Sequence, residues 1–172
     1  MQASYWHEKW QKGETAFHQF KGSPLLKAHF PELGLPVMHL DEIDLIHYQA
    51  MVDELTIDVY VGDIFQLTPA LIGQVDAIYD RAALVALPLD MRERYTLHMR
   101  ELTGTAAQLL ISFDYEQHLL PGPPYCVGGD EITRHYGEHY VVSQLASEDV
   151  VGGLKGKLKA NEEVWLLQKS ES

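Results

Sequence analysis

The feature that most constrains the fold of this chain is a change of pattern at Thr56. From there on, short runs rich in β-branched residues are separated by helical patterns. Three of these runs are residues 57–61 (IDVYV), 75–79 (VDAIY) and 107–113 (AQLLISF). Strands that alternate with helices form βα units around a mainly parallel sheet. The sequence therefore predicts an α/β fold.

Two helices and a hairpin complete this prediction. Residues 90–102 have the spacing of an amphipathic helix, and residues 130–136 form a shorter helix that Gly137 ends. The buried face of the longer helix is predicted to carry Met91, Tyr95, Met99 and Leu102. The strands predicted at 139–145 and 162–168 have no helix between them, so we expect an antiparallel hairpin at one sheet edge.

The region before Thr56 is interpreted as helix and loop. Tyr5, Trp6 and Trp10 lie in a short segment that Gly13 ends, and a second helix is predicted to begin at Ser23-Pro24. No internal repeat and no linker rich in Pro, Gly or Ser divides the 172 residues. We therefore expect one domain.

Charge and cysteine content restrict the partners and the compartment. The formal net charge is -12, so the chain lacks the basic surface that nucleic acids and anionic membranes require. Cys126 is the single cysteine, no basic and then apolar leader opens the chain, and the longest apolar runs fall far short of the ~20 residues of a membrane span. We expect a cytoplasmic protein that is a monomer.

Two predicted strands lead into acidic residues, and ligands of open α/β sheets bind beyond the carboxyl ends of strands. Asp63 follows the first strand, where it either contacts a ligand or makes a turn and caps the next segment. Asp80 and Arg81 follow another, as a charged pair beside an apolar segment. A structural ion pair and a functional pair fit this pattern about equally well.

Three further segments are candidates for a site. The aromatic and polar run at 6–18 suits a flap over a flat ligand ring, or a helix that docks two indoles into the core. The segment GPPY at 122–125 forms either a pocket wall or a tight connection. His135 and His139 have the spacing of metal ligands on a helix, but Gly137 separates them, so we interpret them as solvated surface histidines.

Taken together, these motifs resemble the bacterial thiopurine S-methyltransferases, a family of S-adenosylmethionine-dependent methyltransferases. The resemblance rests on WHEKWQKGETAFHQ (6–19), DRAALVAL (80–87), DY (114–115) with GPPY (122–125), and EEVWLL (162–167), in this order. It implies a Rossmann-like sheet that is mostly parallel with an antiparallel C-terminal edge and helices on both faces. It also implies methyl transfer to the sulfur of thiopurines or other aromatic and heterocyclic thiols, small-molecule substrates, without a metal.

The resemblance also implies roles for individual residues. The cofactor S-adenosylmethionine is expected to contact Trp6, Trp10, Phe17, Asp63, Ile64 and Arg81, with Asp63 and Ile64 at the adenine. The substrate is expected to contact Phe17, Arg81, Pro124 and Tyr125. Arg81 is the expected catalytic residue, because it would lie near both the cofactor and the sulfur of the substrate.

The chain departs from the family's pattern in one block. The family's first strand, its Pro-Leu-Cys-Gly-Lys turn and a second strand ending in the acid that holds the ribose have no counterpart here, since residues 34–37 lead almost directly to 44–47. We expect a segment to be omitted between residues 37 and 45. Consecutive Cα atoms there should then lie farther apart than the ~3.8 Å of a trans peptide.

Two alternative functions remain. The same family resemblance allows an acceptor that is a small selenium, tellurium or sulfur species. A complete chain without the missing block would instead be a non-catalytic homologue that binds small molecules.

Overall fold

The computed structural model describes residues 37–40, 45–52 and 54–171. The chain divides into two compact units, the first ending at Thr68 and the second beginning at Pro69, and each is described by itself. Residues 41–44 lie outside the described residues. The expectations of a single domain and of a chain break between residues 37 and 45 therefore stay predictions.

The first unit contains an antiparallel sheet. Its strands are β1 (Val37–Leu40), β2 (Leu45–Val52) and β3 (Leu55–Gly62), in the order β1-β2-β3. The interpretation of this region as helix and loop is wrong for β1 and β2. Residues 46–50 of β2 alternate between apolar and polar side chains, which is a pattern typical of a strand, and β2 forms eight pairs with β3.

The second unit contains the larger sheet. Its strands are β4 (Ala77–Arg81), β5 (Ala107–Asp114), β6 (Tyr140–Asp149) and β7 (Asn161–Lys169), in the order β4-β5-β7-β6. Strand β4 pairs with β5 in parallel, and β7 is antiparallel to both of its neighbours, so β4, β5 and β6 run in one direction. The predicted hairpin of β6 and β7 is confirmed, but of these two strands only β6 lies at an edge of the sheet, because β7 pairs with β5 on its other side.

Three α-helices are found in the described residues. They are α1 (Pro69–Ile72), α2 (Leu89–Thr103) and α3 (Gly129–Tyr136). The predictions of α2 and α3 are confirmed. Helix α2 buries Tyr95 and Leu102 as expected, and Gly104 ends it with a positive φ of 64°, where a glycine carries no steric penalty.

Helices α2 and α3 contact the same face of the larger sheet. Asp80, Leu110 and Trp165 are register partners, so their side chains share this face. Tyr95 of α2 contacts Asp80, and Gly129 of α3 lies so close to Trp165 that a Cβ atom there would be 2.9 Å from Cη2 of the indole. The structure is mixed α/β. The described residues do not confirm the expected helices on the other face.

The core of the second unit lies between this sheet face and the two helices. Its most buried apolar side chains are Leu84, Val85, Leu110, Val127, Ile132 and Leu167. Among the described residues, no helix is both long and apolar enough to span a membrane.

Candidate active site

The carboxyl ends of the parallel strands place several polar residues at one edge of the larger sheet. Strand β4 ends at Arg81 and β5 ends at Asp114. Strand β7 runs in the opposite direction, so it begins at this edge, with Asn161 opposite Asp114. This is the edge at which open α/β sheets bind their ligands.

Arg81 lies on the face of the sheet that α2 and α3 do not contact. It is in register with Ile111, and its Nη2 lies 3.3 Å from Oε1 of Glu162 on β7. The Arg81 side chain is 60% exposed, so it is accessible from solvent at this edge of the sheet. An ion pair this exposed contributes little to stability.

Asp80 points to the opposite face and is 3% exposed. Its carboxylate accepts hydrogen bonds from the Tyr95 hydroxyl at 2.9 Å and from the Leu84 N–H at 3.4 Å. Burial raises the pKa of Asp80, and these hydrogen bonds oppose the increase. Asp80 and Arg81 are therefore not an ion pair with each other: each has its own partner, on its own face of the sheet.

In the first unit, Asp63 follows β3. Its Oδ1 accepts a hydrogen bond from the Phe65 N–H at 3.0 Å and so caps the 3₁₀ turn Ile64–Gln66. The turn-and-cap interpretation from the sequence is confirmed. The Asp63 side chain is exposed, and its predicted contact with the adenine stays a prediction, as does that of Ile64.

The loop at residues 122–125 packs against the turn that follows β4. The Tyr125 N–H donates to the carbonyl of Val85 at 2.6 Å, and the Tyr115 hydroxyl donates to the carbonyl of Pro124 at 2.7 Å. Pro124 is buried and Tyr125 is half-buried. These bonds bring the loop to the segment just after Arg81. The substrate contacts of Pro124 and Tyr125 stay predictions.

A buried ion pair beside this loop was not predicted from the sequence. Nε of Arg92 lies 2.6 Å from Oε1 of Glu131, and the Arg92 guanidinium lies over the Tyr125 ring at 5.4 Å from its centroid. His135 also contacts Glu131, through Nε2 at 3.1 Å, and its side chain is 4% exposed. The prediction of a solvated His135 is wrong, because the four-residue spacing places this ring on Glu131.

The remaining predicted residues do not enter this geometry. Trp6, Trp10 and Phe17 lie outside the described residues. In the part of the chain that the structure describes, no group of three or more His, Cys, Asp or Glu side chains could hold a metal ion. Burial raises the pKa of Cys126, so this thiol is a weak nucleophile at neutral pH.

Glu163 is a buried carboxylate near the same sheet edge. It is 6% exposed; Oε1 accepts from Nε2 of Gln144 at 3.0 Å, and Oε2 has no hydrogen-bond partner among the residues that the structure describes. Burial, with a smaller contribution from the charge of Asp114, raises the pKa of Glu163. A carboxyl group whose pKa is higher in the folded state loses its proton more readily when the chain unfolds. It therefore reduces stability as the pH rises from the unfolded pKa through the folded one.

We expect Glu163→Gln to raise the free energy of unfolding at pH 7 by about 1 kcal/mol, because it removes the charge from a buried, half-satisfied group. Urea unfolding at pH 4, 5.5 and 7 measures this, and the gain should shrink toward the lowest pH. Glu138→Gln is the control, since that side chain is 87% exposed. A loss of stability at pH 7 would contradict the prediction.

Comparison with known proteins identifies the family. The family model for thiopurine S-methyltransferase (TPMT) matches residues 39–170. A thiopurine S-methyltransferase of Xanthobacter autotrophicus is 38% identical over 213 aligned positions, which cover 99% of this chain and 100% of the relative. Those of Gluconobacter oxydans (37%, covering 95% of this chain and 93% of the relative) and Teredinibacter turnerae (35%, 99% of both) are similar.

The alignment with the Xanthobacter protein is longer than this chain. Its 213 positions exceed the 172 residues of the chain by 41, so at least that many residues of the relative have no counterpart here. The matches nevertheless extend over nearly the whole chain. The chain belongs to the thiopurine S-methyltransferase family.

Proposed function

We propose that this chain transfers the methyl group of S-adenosylmethionine to the sulfur of a thiopurine or a related heterocyclic thiol. Support comes from the family and from one observation above all. Arg81, in the motif that resembles the family's active-site block, presents an exposed guanidinium at the carboxyl end of β4. We also propose that the chain acts in the cytoplasm as a monomer on small molecules, in keeping with its net charge of -12.

The cofactor would be held in part by Asp63. The Phe65 N–H donates to Oδ1 of the exposed Asp63 carboxylate, and none of the described residues bonds to Oδ2, which could accept a hydrogen bond from the exocyclic amine of adenine. A carboxylate acceptor fits the exocyclic amine at the adenine end of S-adenosylmethionine. By the family resemblance, the acid that holds the ribose belongs to the block that has no counterpart in this sequence.

The chemistry asks little of the protein beyond positioning. S-adenosylmethionine supplies a methyl group on a positively charged sulfur, and the sulfur of the substrate forms the new S–CH₃ bond as the old one breaks. A heteroaromatic thiol is already partly ionised near neutral pH, so its proton goes to solvent and no strong base is required. Arg81 would favour the thiolate form electrostatically, and Tyr125 would form a wall for the flat ring.

The proposal is tested with the purified full chain, S-adenosylmethionine and a thiopurine, by chromatographic detection of the S-methylated product and by calorimetry with S-adenosylhomocysteine. We expect both transfer and binding. If S-adenosylhomocysteine binds but no methyl group is transferred, neither to a thiopurine nor to small selenium, tellurium or sulfur acceptors, the chain is a non-catalytic homologue. Absence of both would overturn the proposal, and transfer to the small acceptors alone would overturn the thiopurine assignment.

Asp63→Asn tests the adenine contact. The asparagine Oδ1 can still accept a hydrogen bond from the Phe65 N–H. Its amide NH₂ would then face the exocyclic amine of adenine, and two donors cannot form a hydrogen bond with each other. S-adenosylhomocysteine should therefore bind about tenfold more weakly, the effect of one charge-assisted hydrogen bond, with the melting temperature unchanged. Asp76→Asn is the matched control, since Asp76 is an exposed aspartate bonded to Gln74. Equal affinities of the wild type and Asp63→Asn would contradict this contact.

A further inference from the structure

The residue next to Arg81 in the chain is held far more firmly than Arg81 itself. Asp80 is buried between β4 and α2, with one carboxylate oxygen on the Tyr95 hydroxyl and the other on the Leu84 N–H. Among the described residues, the Arg81 side chain has only the exposed contact with Glu162. Asp80 and the turn that follows it therefore connect the core of this unit to Arg81.

That turn has a strained backbone. Ala82, directly after Arg81, has a φ of 69°, in the left-handed region that residues with a Cβ atom rarely adopt. The chain then enters the 3₁₀ turn Leu84–Ala86. Strained residues of this kind persist only where surrounding contacts hold them. Asp80 supplies such a contact, because its side chain bridges from the end of β4 to the N–H of Leu84.

The Tyr95 hydroxyl is in turn the side-chain group that holds Asp80. Burial, with the adjacent carboxylate, raises the pKa of Tyr95, so the hydroxyl remains a donor over the whole working range of pH. Burial and the charge of Asp80 also raise the pKa of Tyr136 on α3, so this hydroxyl is uncharged at neutral pH. Its hydroxyl is buried, and among the described hydrogen bonds it makes none to Asp80.

We propose that Tyr95 is a positioning residue for methyl transfer, whose hydroxyl fixes Asp80 and through it the turn that presents Arg81 to the substrate. The inference rests on the proposed function, since it assumes that Arg81 acts on the acceptor. It adds a residue on helix α2 that contacts neither ligand. On one face of β4, Tyr95 would hold Asp80 in place. On the other face, Arg81 would contact the substrate.

The test is Tyr95→Phe, which keeps the ring and removes only the hydroxyl, assayed well below the melting temperature. We expect kcat for a thiopurine to fall about five- to tenfold, the effect of one hydrogen bond, with the KM for S-adenosylmethionine little changed. Without its donor Asp80 takes up a proton more readily, so the deficit should deepen as the pH is lowered. Tyr136→Phe is the matched control and should leave kcat and its pH profile unchanged.

A double-mutant cycle separates positioning from a general structural effect. If Tyr95 acts through Arg81, Tyr95→Phe should have little further effect in an Arg81→Ala background. An equal loss of kcat in both backgrounds, or no loss in either, would overturn the inference while the wild type remains active. Failure of the wild type to transfer methyl groups would overturn the proposed function, and this inference with it.

Discussion

Replacing Arg81 with alanine is expected to lower kcat/KM for an aromatic thiol by about ten- to hundredfold, the ~1.4 to 3 kcal/mol of one charge-assisted contact in a closed site. The melting temperature should change little. The side chain is 60% exposed and its contact with Glu162 is 3.3 Å long, and such surface pairs contribute at most about 1 kcal/mol. Asp80 keeps its partners Tyr95 and Leu84, so no buried charge is left without a partner.

Two further variants make this prediction specific. Arg134→Ala is the matched control, because that arginine is 58% exposed and lies 4.0 Å from its carboxylate partner, so neither turnover nor stability should change. Arg81→Lys should restore part of the activity, since lysine keeps the charge but not the planar fork of donors. A large fall in melting temperature with unchanged turnover per folded molecule would refute the catalytic role of Arg81.

The sequence predicted those parts of the fold that local pattern determines. Helix α2 was predicted to within one residue at each end, because the spacing of its apolar residues marks it clearly. Strand β4 was predicted two residues too early, since the mostly apolar run 75–79 suggested the strand, while the observed strand continues through Asp80 and Arg81. The position of β7 between β5 and β6 depends on pairing between distant residues, which no local pattern reveals.

The candidate site was predictable in part for a related reason. Arg81 and the loop at 122–125 belong to contiguous motifs that a reader of the sequence can recognise. Their partners come from other elements. Glu162, which contacts Arg81, lies 81 residues away in the chain. Tyr95, which contacts Asp80, and Arg92, which lies over the Tyr125 ring, are both on helix α2. A charged residue at a helix position such as Arg92 is most often solvated, so its burial against Glu131 is a property of tertiary packing alone.

The position of Arg92 leads to the largest expected effect on stability. Arg92 is 5% exposed and donates to both carboxylate oxygens of Glu131, at 2.6 and 3.3 Å, and to the carbonyl of Leu87 at 2.9 Å. Its guanidinium also lies over the ring of Tyr125. One side chain thus connects α2, α3, the turn after β4 and the loop predicted to contact the substrate.

We expect Arg92→Met to lower the free energy of unfolding by about 3 to 5 kcal/mol, because it leaves the Glu131 carboxylate, which is only 16% exposed, without its main partner. Urea unfolding followed by circular dichroism measures this loss. Adding Glu131→Gln should recover part of it, since the stranded charge is then removed, and the coupling between the two sites should exceed about 1 kcal/mol. Arg134→Met, at an exposed arginine of the same cluster, should cost less than about 0.5 kcal/mol. A loss below about 1 kcal/mol for Arg92→Met would mean that His135 and Arg134 satisfy Glu131 by themselves, and that Arg92 does not hold the Tyr125 loop in place.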